Sequence, residues 1–306
     1  MHRIRIDLYN AWLLLRLGRV HFLVPGAFLY LLGALLAVLA GASLYLPRLL
    51  LGYMVFMPAH LSVSYSNDLF DADTDRYGRP TPFSGGSGVL VSHPHLRPTA
   101  GRIAIGLIVA SFVVGIVFMA VYAYPAWLLA YLALGNALGW FYAAPPLRLS
   151  YRGLGEIATT LTVGLLVPAL GYIMTTGHPG HLLWAVIPGS LLCGMAFIIA
   201  VQIPDLEADR RALKHTLVSR IGRGPAFILI TVVLSLTTVW FLALSDSRLR
   251  PVGLFGLLPA GISLWSGLRR PSERESATRH VSGILIALVG FLMLTDGYLL
   301  WRLGVI

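Results

Sequence analysis

The sequence predicts an all-α protein embedded in a lipid bilayer, with about nine transmembrane helices packed as one bundle. Three observations carry this. Of the 306 residues, 57% are hydrophobic and 12% charged, roughly half the charged share of a soluble domain. Apolar runs of the roughly 20 residues needed to cross hydrocarbon fill most of the chain. The charges, moreover, fall mainly on alternate loops.

Nine runs qualify, at residues 22–42, 49–70, 101–122, 125–145, 153–176, 182–204, 225–244, 250–268 and 281–303. They read as helices, because lipid offers the backbone no hydrogen-bond partners and the strict alternation of a membrane barrel is missing. Residues 1–21 precede them, mixing arginine with Trp12 and leucines. This segment reads as an interfacial helix or, equally, as a simple basic anchor. The first run is long enough to span, so it is expected to be a membrane helix and not a cleaved leader. The whole chain, 1–306, is expected to form a single domain.

The net charge of +10 raises the question of nucleic acid. Its placement answers it. The N-terminal segment and the loops after the second, fourth, sixth and eighth runs carry 19 of the 23 basic residues; Arg48, Arg248, Arg250 and Arg302 are the other four. Such a split follows the positive-inside rule, puts the N-terminus in the cytoplasm and makes nucleic-acid binding an unneeded explanation. The single cysteine, Cys193, cannot form a disulfide within the chain.

Seven of the thirteen acids fall in two short stretches, Asp68–Asp71–Asp73–Asp75 and Asp205–Glu207–Asp209, each at the cytoplasmic end of an apolar run. Runs two and six occupy equivalent places in two four-helix halves, with a ninth helix added. At about 100° per residue, Asp68, Asp71 and Asp75 share one helical face within about 60°. Asn67 sits at its edge and Asp73 points away. Asp205 and Asp209 are likewise expected on one face, with Glu207 off it. Carboxylates so crowded repel one another unless a cation lies between them. Oxygen ligands with room for water and phosphate suit Mg²⁺. Acids paired with loop arginines are the plainer explanation for any one of them, but two matched clusters at membrane depth point to function.

At these residues the sequence resembles the UbiA superfamily of intramembrane prenyltransferases. Asn67, Asp68, Asp71 and Asp75 match its NDxxDxxxD motif, and Asp205 and Asp209 its DxxxD motif. Lys214, the only lysine, stands with Thr216 and Leu217 where the family has Lys and Thr-Leu. Tyr142 to Leu149 resembles the family's Tyr-Ser-x-Pro-Pro-Leu-Arg segment. The resemblance implies a nine-helix bundle around a central cavity, with a lateral opening for lipid and cytoplasmic loops as a cap. It implies transfer of a polyprenyl chain from its diphosphate to an acceptor, often aromatic. The metal would be held by Asp68, Asp71, Asp75, Asp205 and Asp209, and the diphosphate bound by Lys214, Arg148 and Arg19. Asn67 and Tyr142 would complete the substrate site.

Within the family, the stretches around Asp205–Arg211 and Leu149–Glu156 look closest to the menaquinone branch, which prenylates dihydroxynaphthoate. Gln202 and His215 depart from that branch, and the loop Arg79–Leu90 lacks the arginine pattern of others.

Ionisation of an allylic diphosphate would leave a carbocation that needs dry, π-rich walls. Tyr65, Phe70, Trp140, Phe141, Tyr142, Tyr151 and Phe197 lie near cytoplasmic helix ends; packing explains each of them as well, Tyr142 excepted. Gly135, Gly164 and Gly171 offer either space for a prenyl tail or close helix packing. Glu156 is expected to meet a helix N-terminus, and Asp296 to need a partner or water. His93, His95 and His215 lack metal-ligand spacing. A membrane terpene cyclase, which would close the chain on itself, and a cation-coupled transporter remain as alternatives.

Overall fold

A computed structural model of the chain describes residues 2–306, with side chains from Leu8 onward; the side chains of Arg3 and Arg5 lie outside the described residues. Each apolar run closes its own backbone hydrogen bonds, as hydrocarbon requires. Helix α1 (His2–Leu17) leads through a tight turn into α2 (Leu23–Leu39). The long α3 (Leu46–Asp75) follows, then the short α4 (Val89–Ser92), α5 (Arg97–Tyr122) and α6 (Trp127–Phe141). Helices α7 (Gly155–Leu161) and α8 (Val167–Thr176) form one span joined by a π-helical turn. Then come α9 (His181–Gln202), the short α10 (Leu206–Arg211) and α11 (Leu217–Ile221), and finally α12 (Arg223–Leu242), α13 (Arg250–Arg269) and α14 (Arg274–Arg302).

All nine apolar runs are helical, and they differ in length. Among the described residues, eight helical segments are long and apolar enough to cross a membrane. The run at 125–145 yields only α6, 15 residues and so about 22 Å long, against about 30 Å of hydrocarbon. Its last residues, from Tyr142 on, leave the helix ahead of Pro145-Pro146.

The protein is an integral, multi-pass membrane protein, and its burial pattern shows why. Ile105, Val109, Val113 and Ile116 on α5 and Ile228, Val232, Leu236 and Val239 on α12 are exposed on the outside, where lipid tails replace water. Neighbouring pairs include α3 with α5, α9 with α12, and α12 with α13, while α14 packs on α2, α9 and α13.

The two halves meet along α2 and α8. A Cβ on Gly33 would lie 1.8 Å from Pro168 O, and one on Gly171 would lie 1.9 Å from Tyr30 O. Backbone touches backbone, so nothing larger than glycine fits at either position. Gly164 is equally tight, 2.6 Å from Leu191 Cα, whereas Gly135 faces open space. Gly164 and Gly171 therefore serve helix packing and leave no room for a prenyl tail. Among α2, α9, α12, α13 and α14 lies a cavity of about 20 Å³ lined by residues such as Leu32, Val186 and Phe291, enough for about one water.

Candidate functional site

The first acid stretch sits on the last turns of α3. Asp68 and Asp71 are buried and Asp75 half-buried, while Asp73 turns outward to an ion pair with Arg97 at 2.7 Å. This is the division that helical spacing predicts. Asp71 accepts from two partners remote in sequence: Tyr151 Oη at 2.7 Å and Lys214 Nζ at 2.8 Å. Thr74 Oγ1 lies 3.0 Å from the same tyrosine oxygen. Burial first, then the Asp71 charge, raises the Tyr151 pKa above its ordinary value, keeping it a donor.

The second stretch departs from the expected regular helix. Helix α9 ends at Gln202, because Pro204 follows. A tight turn of Ile203–Asp205 intervenes, and α10 starts at Leu206. Asp205 therefore stands just ahead of α10 and Asp209 within it, so the two do not share one continuous helical face. Glu207 points away to Arg223 at 2.5 Å. Helix α10 stops at Arg211, Leu213 takes a left-handed backbone (φ 56°), and Lys214 N–H returns to Asp209 O at 2.9 Å. That reversal carries Lys214 back over the acids.

Glu156 and Gln202 hold this reversal in place. Glu156, buried in the first turn of α7, accepts from Gln202 Nε2 at 2.9 Å and from Leu217 N–H, the first residue of α11. Thr216 caps α11 through its side chain and donates to Asp209 Oδ2 at 3.2 Å. Glu156 thus does more than meet a helix dipole, and Gln202 is its structural partner.

The segment Ser84–Gly85–Gly86–Ser87–Gly88 closes over both acid stretches as a strap. Ser87 donates its N–H (3.0 Å) and, through a very short contact, its hydroxyl to Asp68 Oδ2; Ser84 Oγ donates to Asp205 Oδ1 at 3.2 Å. A Cβ on Gly86 would fall 2.2 Å from Asp75 Oδ2 and 3.3 Å from Asp68 Oδ1. Gly85, Gly86 and Gly88 all have positive φ (77°, 66° and 71°), a conformation that glycine adopts without strain. Sequence reasoning used this loop only to sort subfamilies. Its glycine density was the signal available.

Three cations surround the acids. Lys214 is pulled two ways: burial opposes its charge, but Asp71, then Tyr151 and Asp209, raise its pKa above the usual lysine value. Arg148 lays its guanidinium over the Tyr151 ring at 4.1 Å, and its buried Nε has no partner. Arg19 lies over Phe22 at 4.7 Å, within electrostatic reach of Asp68, Asp75 and Asp205, with a buried Nη2 that has no partner. Arg19 and Arg148 both adopt left-handed backbone (φ 47° and 44°), a strain that tends to persist at functional sites. Asn67 Oδ1 is also buried without a partner. Tyr142, whose pKa burial raises, stands within the field of Lys214, Glu156 and Asp209.

Among the described residues, no three acidic, histidine or cysteine side chains converge tightly enough to hold a metal alone. The oxygens nonetheless suit Mg²⁺, which binds through one or two carboxylates and keeps sites for water and phosphate. Asp75 and Asp68 both approach the empty Cβ position of Gly86, so only glycine lets the strap lie this close to them.

The remaining candidates are structural. Tyr65 Oη donates to Leu14 O and anchors α1, and Phe70 packs edge-on to Trp140 at 5.2 Å. Phe141 is half-buried and Phe197 packs in the core around α9 and α12. His93 meets Tyr9 and His95 edge-on, and His215 is exposed. Asp296 is 2% exposed with neither oxygen hydrogen-bonded.

The profile of the UbiA prenyltransferase family matches residues 26–300. A 1,4-dihydroxy-2-naphthoate octaprenyltransferase of Bacillus subtilis is 26% identical over 237 residues, 76% of this chain and 73% of that one. A lycopene elongase/hydratase of Halobacterium salinarum is 30% identical over 248 residues, covering 76% and 79%. The structure of a UbiA homolog from Archaeoglobus fulgidus bound to DMAPP and Mg²⁺ superposes with a TM-score of 0.64 at 17% identity, over 93% of this chain and 99% of that one. At that identity the likeness concerns the fold.

Proposed function

Because the chain belongs to the UbiA prenyltransferase family, we propose that it transfers a polyprenyl chain from its diphosphate to an aromatic carboxylate acceptor, at the cytoplasmic face of the membrane. The observation that carries this reading is the meeting of two acid stretches, 130 residues apart in the chain, beneath one glycine-rich strap with three cations around them. Asp68, Asp71, Asp75, Asp205 and Asp209 hold Mg²⁺, and the whole chain acts as one domain. When bound, the metal neutralises charge on the diphosphate oxygens as a Lewis acid.

The chain's own residues do the rest. Lys214, Arg148 and Arg19 stabilise the leaving diphosphate as the C1–O bond breaks and its electron pair departs with the phosphate. Unpartnered donors on both arginines are free to take anionic oxygens, arginine as a fork and lysine as a point charge. Tyr142 presents its ring face to the allylic cation, Tyr151 orients Arg148 and Lys214 beside the diphosphate, and the strap keeps water off the cation. A ring carbon of the acceptor then bonds to C1, and the ring loses a proton. The acceptor assignment follows the naphthoate, carboxynaphthoquinone and homogentisate named for three relatives. The similarity to a lycopene elongase/hydratase supports a second reading, a polyene acceptor.

Mass spectrometry of products tests both. Purified protein is given Mg²⁺, prenyl diphosphates of several lengths, and aromatic acids or lycopene. Prenylated aromatic acid is expected; prenylated lycopene alone would favour the second reading, and a cyclised hydrocarbon would replace both. A reporter fused after Arg210 should read cytoplasmic, and one near Gly180 external.

A further inference from the structure

Arg274 touches two segments far from it in sequence. It opens α14, and its half-buried side chain donates from Nε to Pro204 O at 2.9 Å and from Nη2 to Arg79 O at 2.6 Å. Pro204 belongs to the turn that carries Asp205, and Arg79 lies five residues ahead of the strap. We propose that Arg274 is a positioning residue for the transfer, clamping the root of the strap to the second acid stretch so that water stays off the reacting carbon. The inference rests on the transferase reading above and adds to it a residue that the reading does not use.

Three observations support it. The first is the placement itself. A cation in the first turn of a helix is opposed by the helix dipole, so α14 gains nothing from an arginine at this end. Arg269, Arg270 and Arg279 nearby are exposed, and Arg279 pairs with Glu275 on its own helix. Arg274 instead gives its donors to the backbone of two other segments. A guanidinium suits this, because its donors form a rigid fork and one head can hold two carbonyls at a set separation.

The second is what the two carbonyls adjoin. The Cβ position of Gly85 lies 2.9 Å from Arg79 O and 3.4 Å from Asp205 Oδ1, so the carbonyl that Arg274 holds backs directly onto the strap and the acid. Asp205 also lies within electrostatic reach of Arg274. The third is apolar. Phe83, one residue ahead of the strap, packs against the core cluster that contains Ile203, Leu206 and Ala277 of α14. The root of the strap is therefore fastened to α14 and the α9–α10 break by polar and apolar contacts alike. Arg223, which opens α12, donates to Ile203 O at 3.2 Å and to Glu207, but forms no hydrogen bond to the strap or its root among the described residues.

If the clamp loosens, water can reach C1. Its oxygen bonds there as the C1–O bond to diphosphate breaks, a proton goes to solvent, and the products are prenyl alcohol and diphosphate. The test is the ratio of prenyl alcohol to prenylated acceptor, read by mass spectrometry. The full chain in nanodiscs is given Mg²⁺, geranylgeranyl diphosphate and either 1,4-dihydroxy-2-naphthoate or lycopene. A partly unfolded preparation lowers both products together, so a merely structural role leaves the ratio unmoved. Arg274→Gln should raise it at least ~10-fold, the scale of losing hydrogen bonds from a charged donor. Arg274→Lys should recover part, since an ammonium lacks the fork, and Arg279→Gln on the same helix should stay within about two-fold. An unchanged ratio in Arg274→Gln, or an equal rise in Arg279→Gln, overturns the proposal. Hydrogen exchange gives a readout that needs no turnover: amides of residues 81–89 should exchange at least ~10-fold faster in Arg274→Gln, and an unchanged rate there also overturns it. Faster exchange in a chain whose wild type transfers no prenyl group to either acceptor would leave the clamp standing and sink the transferase reading.

Discussion

The two acid stretches occupy equivalent places in the sequence, each at the end of an apolar run, yet they are held in different ways. Asp68, Asp71 and Asp75 ride on one unbroken helix of 30 residues, so their mutual geometry is fixed by helical pitch. Asp205 closes the break between α9 and α10 and Asp209 lies beyond it, and their geometry depends on a cap, a turn and the Glu156–Gln202 pair. The first stretch is rigid on its own; the second is as rigid as its neighbours make it. A bundle that must bring two arrays of carboxylates together gains from one fixed array and one adjustable array.

The largest expected effects test the stretches themselves. Asp71→Ala and Asp209→Ala should each abolish measurable turnover. They should differ in stability. Removing Asp71 strands the buried Lys214, a loss of the order of 3–5 kcal/mol, whereas Asp209 forms no ion pair among the described residues. Thermal unfolding should show the contrast, and Asp71→Ala/Lys214→Ala should restore stability without activity. Equal melting losses in the two single variants would mean that the Lys214 pair does not anchor the first stretch.

Next in size is Lys214. Lys214→Ala should lower kcat by at least ~10²-fold, the range for losing a charge-stabilising donor, with a smaller rise in KM. Lys214→Arg should recover only part. A normal kcat with raised KM would reduce the lysine to an attractor of substrate. The folded pKa of Lys214 is raised, so its share of stability is complete below the ordinary lysine value of 10.5 and is lost only as pH rises through the higher folded value. No loss of activity from this group is expected below that ordinary value.

Glu156→Gln reads the adjustable stretch. Weakening its bonds to Gln202 and Leu217 N–H should cost about 1–3 kcal/mol and raise the KM for prenyl diphosphate more than it lowers kcat. An unchanged KM would show that the break at Pro204 holds Asp209 unaided.

The smallest effects belong to acids outside both faces. Asp73→Ala should leave kcat within about two-fold, because Asp73 pairs with Arg97 at the surface. On the opposite end of the bundle, hydrogen bonding from Arg248 holds the Asp246 carboxyl below its usual pKa. That pair stabilises the fold above the unfolded carboxylate pKa, and its contribution fades as pH falls through the lowered folded value. Asp246→Asn should therefore cost at most about 1 kcal/mol at neutral pH and nothing in strong acid.

The helices were legible because apolar runs are local, and each of the nine has its counterpart in the structure. The run at 125–145 is the one whose helix stops short, at Phe141. The faces of Asp71 and Asp73 were legible for the same local reason. Tyr151 on Asp71, Ser84 on Asp205 and Glu156 on Leu217 were not. These bonds join segments 61 to 121 residues apart, and no period in the chain announces them. The pairing of Asp205 with Asp209 looked helical because the i, i+4 spacing survives a one-turn break.

The glycine seam between α2 and α8 has a mechanical consequence. Helices separated by side chains can slide, since rotamers yield; at Gly33 and Gly171 there is no such cushion. The halves cannot rock past each other as the repeats of an alternating-access carrier do. Motion is left to the parts that carry glycine for freedom instead of for closeness, above all the strap. The membrane portion is then a stiff frame and the rim that carries the acid stretches its compliant part, so turnover should follow the speed of the rim and not the fluidity of the surrounding lipid.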